Sequence, residues 1–477
     1  MIPVFIAYFV LTFALGIWEA RRTKSQADFV LGGKKLPGWM LALSERATGE
    51  SAWLLLGLTG FIYLTGISGI WTGVGCLLGI VTAWTVLAKK FRSEAARYNA
   101  MTLPEYFSAK FPQKANAIRV LSTMVIVFFF VFYVGAQFAG AGKTIFKTFG
   151  LDPLWGQIIS AAVILGYATF GGFISVVAVD TFQAVLMLIT LVVAPILIII
   201  KVISSPNTIS QAFAAAGPGY DSLTGGLAGF AAGLMIFNNL AWFFGYLGGQ
   251  PQLNARFMGM SDDRQVRIGR NIAIAWTVLA YAGVVVIGLG AMILFGPGAV
   301  SDVEMILPHL LNTLFPPWLA ALLLAGAVAA MISTAESMLL VAATSLSQDV
   351  YNGIIHKGRA PEKKLLALSR LATLLIGILG LVMALTTEKL IYVIVSYAWA
   401  GIGCSFAPAI LLSFYWERFN ANGVVTALVA GLVTTVVWMV AGLEETITAR
   451  AATFFIAIGL AILVTLLTPV KKPTGST

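Results

Sequence analysis

The sequence predicts an all-α membrane protein that crosses the bilayer thirteen times. Three observations carry that prediction: the composition, the length of the apolar segments and the uneven placement of positive charge. Of 477 residues, 59% are hydrophobic and 10% are charged. A soluble domain carries about 25% charged residues, and a water-soluble core cannot absorb so much apolar surface. Two Cys and two His exclude a disulfide framework and a His-rich metal centre. Cys76 and Cys404 stand inside apolar runs and read as packing residues.

An apolar stretch of about 20 residues crosses the hydrocarbon layer as a helix. Thirteen are found, at roughly 2–19, 38–63, 68–89, 117–142, 154–173, 176–203, 226–249, 270–295, 316–347, 366–386, 389–414, 423–442 and 451–469. The first has no basic lead and no small-residue cleavage site, so it reads as a retained span. An odd number of spans puts the two termini on opposite sides. With the N-terminus outside, 24 of the 30 basic residues fall on inside segments, among them Lys471 and Lys472. Only Lys143, Lys147, Lys201, Lys389 and Arg450 fall outside, and Arg46 lies within a span. The positive-inside rule therefore predicts N-out, C-in. This bias and contact with anionic lipid account for the net charge of +10 without any nucleic-acid partner.

Glu45, Arg46, Glu50, Asp180 and Glu336 fall in or near the hydrocarbon region. Ionisable groups there are costly and mark a cavity, a partner or a transport path. A buried structural ion network is the alternative for the first three, and capping near a span end is the alternative for Asp180. The second span also breaks helical rules: SERATGESAW (44–53) places Thr48 and Gly49 between charged neighbours, where glycine lets the backbone leave the helix. The seventh span shows an interruption at Asn238 and Asn239 and ends in Gly245, Gly248, Gly249, Gln250 and Pro251. Two interrupted spans five apart match the pattern of inverted-repeat carriers; close helix packing is the plainer use of such glycines. On the ninth span Ala330, Ser333, Thr334 and Ser337 occupy adjoining positions of one helix. Such oxygens suit a hard cation, although Ser and Thr in membrane helices also bond back to their own backbone.

Five segments, ALSERATGESAWLLLG (42–57), GGFISVVAVDTFQA (171–184), AWFFGYLGGQPQLNARFM (241–258), AVAAMISTAESMLLV (327–341) and VSYAWAGIG (395–403), together with TLPEYF (102–107), resemble the sodium:solute symporters, most closely the bacterial sodium/proline branch. The resemblance runs over nearly the whole chain in order. It implies one transporter domain: an extra N-terminal span and loop (1–36), a core of two inverted five-helix repeats formed by spans 2 to 11 (37–414), and two C-terminal spans with a tail (415–477). It also implies alternating access in the cell (inner) membrane, no enzymatic activity, no cofactor, and Na⁺ as coupling ion.

Carried over by position, the resemblance assigns sodium to the carbonyls of Ala47, Glu50 and Ala330 and the hydroxyls of Ser333 and Thr334. A second cation or proton site would use Asp180, Ser333, Glu336 and Ser337. The substrate pocket would use Tyr133, Trp242, Tyr246, Gln250 and Pro251, with Ser51 and Trp53 nearby. An aromatic cage beside a helix end suits a compact zwitterion, with proline or a related amino acid first. The extra glycine in GYLGGQP keeps other amino acids and small carboxylates open.

The chain also departs from the family. An Asp expected two residues after Ala47 is Gly49 here, and Glu45, Arg46 and Glu50 bring charge where relatives carry small residues. Three couplings stay open. Glu50 or Glu336 replaces the missing carboxylate and sodium coupling survives; the Arg46 guanidinium stands in for sodium; or Glu50 or Glu336 carries a proton. A solute sensor is the non-transporting alternative, against which the tail PVKKPTGST leaves no room for a signalling module. No HExxH, GxSxG or paired Cys/His set supports an enzyme, and nothing in the chain specifies an oligomeric state.

Overall fold

The structure is a computed structural model describing residues 1–387 and 389–468; Lys471 and Lys472 lie outside the described residues. Helices form almost all of it. Among the described residues ten helices are long and apolar enough to cross a membrane, or eleven if the bent pair Gly229–Tyr246 and Pro251–Met258 forms one span. Thirteen separate spans are not found: Gly38–Arg97 and Pro153–Ile203 each cover two of the expected stretches as one segment. Gly38–Arg97 has 60 residues, about 90 Å at 1.5 Å per residue, against a hydrocarbon layer of about 30 Å. Gly66, at φ 69° and ψ −143°, interrupts it. A β-carbon there would lie 2.1 Å from the Tyr220 carbonyl oxygen, so only glycine lets the turn at Tyr220 close over this point. Pro153–Ile203 is broken in the same way at Gly172, φ 65° and ψ −172°.

Burial orders the helices. The most hydropathic windows of Pro317–Ile355 and Ile391–Tyr415 are 83% buried, against 22% for Ile2–Ala20, so those two form the centre and the first helix lies at the rim. It turns Ile2, Val10 and Trp18 outward, as suits lipid, and packs inward where Ser175 Oγ donates to the Gly16 carbonyl (2.7 Å) and Gln183 Nε2 to Tyr8 Oη (3.0 Å). Cys76 and Cys404 are free and buried, in keeping with a packing role.

Three expectations about local structure need correction. The seventh span is not interrupted at Asn238 and Asn239, which sit in the Gly229–Leu240 helix. Asn238 bonds the 446–448 loop and Asn239 bonds Thr72 Oγ1, so these amides serve tertiary contacts. The break falls later, at 247–250, and the segment around Arg256, read as a loop, is the helix Pro251–Met258. Arg450, expected in an outside loop, is a buried residue of the first turn of Ala449–Leu467.

Candidate functional site

The helix that begins at Gly38 runs on through Gly49 and breaks two residues later, at Ser51, with φ 45° and ψ −170°. Positive φ at a non-glycine residue costs about 1–3 kcal/mol and persists only when its surroundings hold it. Here neighbouring side chains take over the lost ladder. Ser51 Oγ accepts from the Trp53 N–H (3.2 Å) and from Tyr133 Oη (3.0 Å), and the Ala52 N–H donates to Gln137 Oε1 (2.9 Å). Trp399 Nε1 donates to Tyr133 Oη in turn (2.9 Å). Tyr133 and Gln137 are one turn apart on Ala115–Phe149, so that single helix props the break.

The second break, 247–250, lies against the Ile391–Tyr415 helix. A β-carbon on Gly249 would sit 1.8 Å from the Gly403 carbonyl oxygen; glycine is needed for this close approach. Rings join the two broken helices. Trp53 and Trp242 stack face to face, centroids 4.3 Å apart and planes within 9°. Tyr246 packs on Trp399 at 4.2 Å. Ser51, Trp53, Tyr133, Trp242 and Tyr246 are thus brought together and are all buried. Gln250 stays within the break, its Nε2 donating to the Gly245 carbonyl (3.3 Å). Pro251 does not join the rings: it opens the next helix and lines a separate small cavity with Val30, Leu340 and Thr344.

Ala47, Glu50, Ala330, Ser333 and Thr334 are all buried where the Gly38–Ala52 and Pro317–Thr344 helices meet. Thr334 Oγ1 donates to the Thr48 carbonyl (2.9 Å), which pins the two helices together. Ser333 Oγ has no hydrogen-bond partner among the described residues.

Beside this junction lies a guanidinium that sequence reading missed. Arg256 Nη2 pairs with Asp180 Oδ2 (2.9 Å) and donates to Ser337 Oγ (2.5 Å) and Thr48 Oγ1 (3.2 Å). Its Nε donates to Ser44 Oγ (3.0 Å) and its Nη1 to the Gln252 carbonyl (2.7 Å). Asp180 therefore neither caps a helix nor anchors at an interface. Of the four residues expected around a second cation, Asp180 and Ser337 bind Arg256, while both Glu336 carboxylate oxygens and Ser333 Oγ are buried without a partner. The clue in the sequence was a lone Arg five residues after Pro251, inside the quoted AWFFGYLGGQPQLNARFM segment.

Arg46 faces elsewhere. It pairs with Glu45 and with Glu50 Oε1 (2.8 Å), and its Nη1 is 3.4 Å from Thr277 Oγ1. Trp84 Nε1 donates to Glu45 Oε2 (2.9 Å) and Tyr281 Oη to Glu50 Oε2 (2.9 Å). None of these partners belongs to the Ala330–Ser337 face. Trp84, Tyr281, Gln137 and Trp399 were not singled out from the sequence, since a Trp, Tyr or Gln in an apolar run carries no pattern that separates a polar contact from packing.

The chain is similar to known proteins along most of its length. The profile of the sodium:solute symporter family matches residues 29–431. The chain is 33% identical over 445 residues to the sodium/proline symporter of Escherichia coli, covering 92% of this chain and 87% of that protein. It is 32% identical over 443 residues to the osmoregulated proline transporter of Bacillus subtilis, covering 92% and 88%. Among solved structures, a substrate-bound, outward-open Na⁺-coupled sialic acid symporter shares the fold with a TM-score of 0.82 at 17% identity, over 98% of both chains. The transporter MhsT in complex with L-phenylalanine superimposes at a TM-score of 0.56 and 15% identity, over 90% of this chain and 97% of that one.

Proposed function

The chain belongs to the sodium:solute symporter family, and from that premise we propose that it carries proline or a related amino acid into the cell together with sodium, by alternating access. As a symporter it is a membrane transporter of a small solute and not an enzyme. The observation that carries the reading is the pairing of two broken helices, at Ser51 and at 247–250, through the Trp53–Trp242 stack. Unwound backbone frees carbonyls for a cation and helix ends for a zwitterion at one depth.

On this reading sodium is held by the carbonyls of Ala47, Glu50 and Ala330 and the hydroxyls of Ser333 and Thr334. The unpartnered Ser333 oxygen supports that role. Ser51, Trp53, Tyr133, Trp242 and Tyr246 surround the solute, with Gln250 and Pro251 at the adjoining break. Counting the segments broken at Gly66 and Gly172 as two crossings each raises eleven spans to thirteen. The protein then sits in the cell (inner) membrane with its N-terminus outside and its C-terminus inside. Residues 37–414 form two inverted five-helix repeats, flanked by 1–36 and 415–477.

A second reading is sodium-independent or proton-coupled transport of another amino acid or a small carboxylate. Arg256 favours it by bringing a permanent cation to Asp180 and Ser337, and Glu336 favours it as a buried carboxyl with two unpartnered oxygens. The surrogate role first considered for Arg46 thereby passes to Arg256. One assay separates the readings: uptake of labelled proline into proteoliposomes under an inward sodium gradient, under a proton gradient and under neither. Stimulation by sodium is expected. Equal uptake in all three conditions removes sodium coupling, and no proline uptake while another solute is carried removes the substrate.

A further inference from the structure

Arg450 is a buried guanidinium that no carboxylate balances. It lies in the first turn of Ala449–Leu467 and is 3% exposed. Among the described residues it takes part in no ion pair. The nearby Glu444 spends its Oε2 on the Ala449 N–H (2.8 Å). The helix adds to the imbalance, because its N-terminal turn carries the positive end of the macrodipole. Nη1 donates to Ser396 Oγ, and Nε has no partner.

The guanidinium carbon lies 4.4 Å from the centre of the Trp242 ring. Trp53 covers one face of that indole at 4.3 Å, so Arg450 occupies the other, and the three groups form one stack. The Nε1 atoms of Trp53 and Trp242 are also buried without an acceptor. Three unmet N–H donors therefore belong to one stack of cation and rings, at the junction of the two broken helices. A cation–π contact offsets only part of the cost of burying a desolvated cation. The planar fork of a guanidinium is matched by a carboxylate.

We infer that Arg450 binds the carboxylate of the transported solute, forming a wall of the aromatic site from a helix outside the repeat core. The inference rests on that site being where the solute binds, but it requires only a carboxylate and not proline. It makes Arg450 a specificity-determining residue that admits acids and discriminates against their amides and esters.

The test uses the purified full-length protein and matched pairs of acid and primary amide, beginning with L-proline and L-prolinamide and extending to other amino acids and small organic acids. Wild-type protein is expected to bind the acid of the recognised pair at least about 10-fold more tightly than its amide. Arg450→Gln is expected to lose about 10- to 100-fold on the acid, the worth of a charge-assisted hydrogen bond, with the amide unchanged. Arg450→Lys, which keeps the charge without the fork, is expected to fall between and stands in for Arg450→Gln if that variant does not purify as a single species. Equal binding of acid and amide by wild type, an acid affinity in either variant within twofold of wild type, or no binding of any acid overturns the inference. An Arg450-dependent preference for a different acid, with proline silent, supports it while removing the proposed substrate.

Discussion

Replacing Gly249 by Ala tests whether the close seating of the second break is what transport needs. A β-carbon at 249 would lie 1.8 Å from the Gly403 carbonyl oxygen, 2.5 Å from its carbon and 2.7 Å from its Cα, whereas ordinary contact begins at 3.4 Å. The obstruction is backbone on a buried helix, so no side chain can swing clear. The break and the Ile391–Tyr415 helix must separate by the difference, about 1.6 Å. Overpacking of this kind costs about 1–3 kcal/mol, which a folded membrane domain survives. Function is more exposed, because a misplacement of about 1 Å can cost 100-fold in an oriented site.

Gly249→Ala is therefore expected to purify as a folded protein with a lowered midpoint of thermal unfolding and a proteoliposome uptake rate reduced about 100-fold. Gly459→Ala is the control: its β-carbon meets nothing within 4 Å, and removing a helical glycine is expected to be neutral or stabilising by up to about 1 kcal/mol. Uptake by Gly249→Ala within twofold of wild type refutes the reasoning, since the separation would then be harmless.

Three further outcomes follow from the buried polar groups. Arg46→Ala leaves Glu45 and Glu50 buried without their guanidinium and is expected to destabilise by about 3–5 kcal/mol; Glu45→Gln with Glu50→Gln in the same chain should recover most of it, and equal midpoints for the single and triple variants count against the ion network. Arg256→Gln and Asp180→Asn should each destabilise, with a coupling of about 1–3 kcal/mol in a double-mutant cycle of unfolding free energies; strict additivity denies the pair. Ser333→Ala removes a hydroxyl with no partner, so stability should stay within about 0.5 kcal/mol while the sodium concentration for half-maximal uptake rises about 10-fold; an unchanged sodium dependence takes Ser333 out of the cation site.

Membrane class and helix placement were legible because both rest on composition and on the length of apolar runs, which the bilayer reads directly. The boundary placed between 63 and 68 falls on Gly66, where the chain does break, while the one placed between 173 and 176 comes just after the true break at Gly172. The exact point of the first break was not legible. Gly49 has the permissive backbone, yet the helix leaves its path at Ser51, because Tyr133 and Gln137 supply hydrogen bonds there from 82 and 85 residues away. Intrinsic freedom marked the neighbourhood and tertiary donors chose the residue. Arg256 and Arg450 were lost for a related reason. Each lies near the end of an apolar run, where a cation is counted toward topology, and only packing reveals that its side chain turns inward.

The ionisable groups around the breaks are not distributed at random. Arg46 faces two carboxylates, Glu45 and Glu50. Arg256 pairs with Asp180 at a junction that also holds Glu336, whose two carboxyl oxygens have no partner among the described residues. Arg450 contributes the opposite excess on the aromatic side. Uncompensated buried charge is costly, so a cation bound near the carboxylates and a carboxylate bound against Arg450 each remove a penalty. Because the two regions adjoin the same broken helix, filling one also lowers the electrostatic cost of filling the other. If Arg450 binds the solute's carboxylate, coupling between solute and ion then needs no direct contact between them. It follows from the attraction between a cation and a carboxylate bound on the two sides of the Ser51 break.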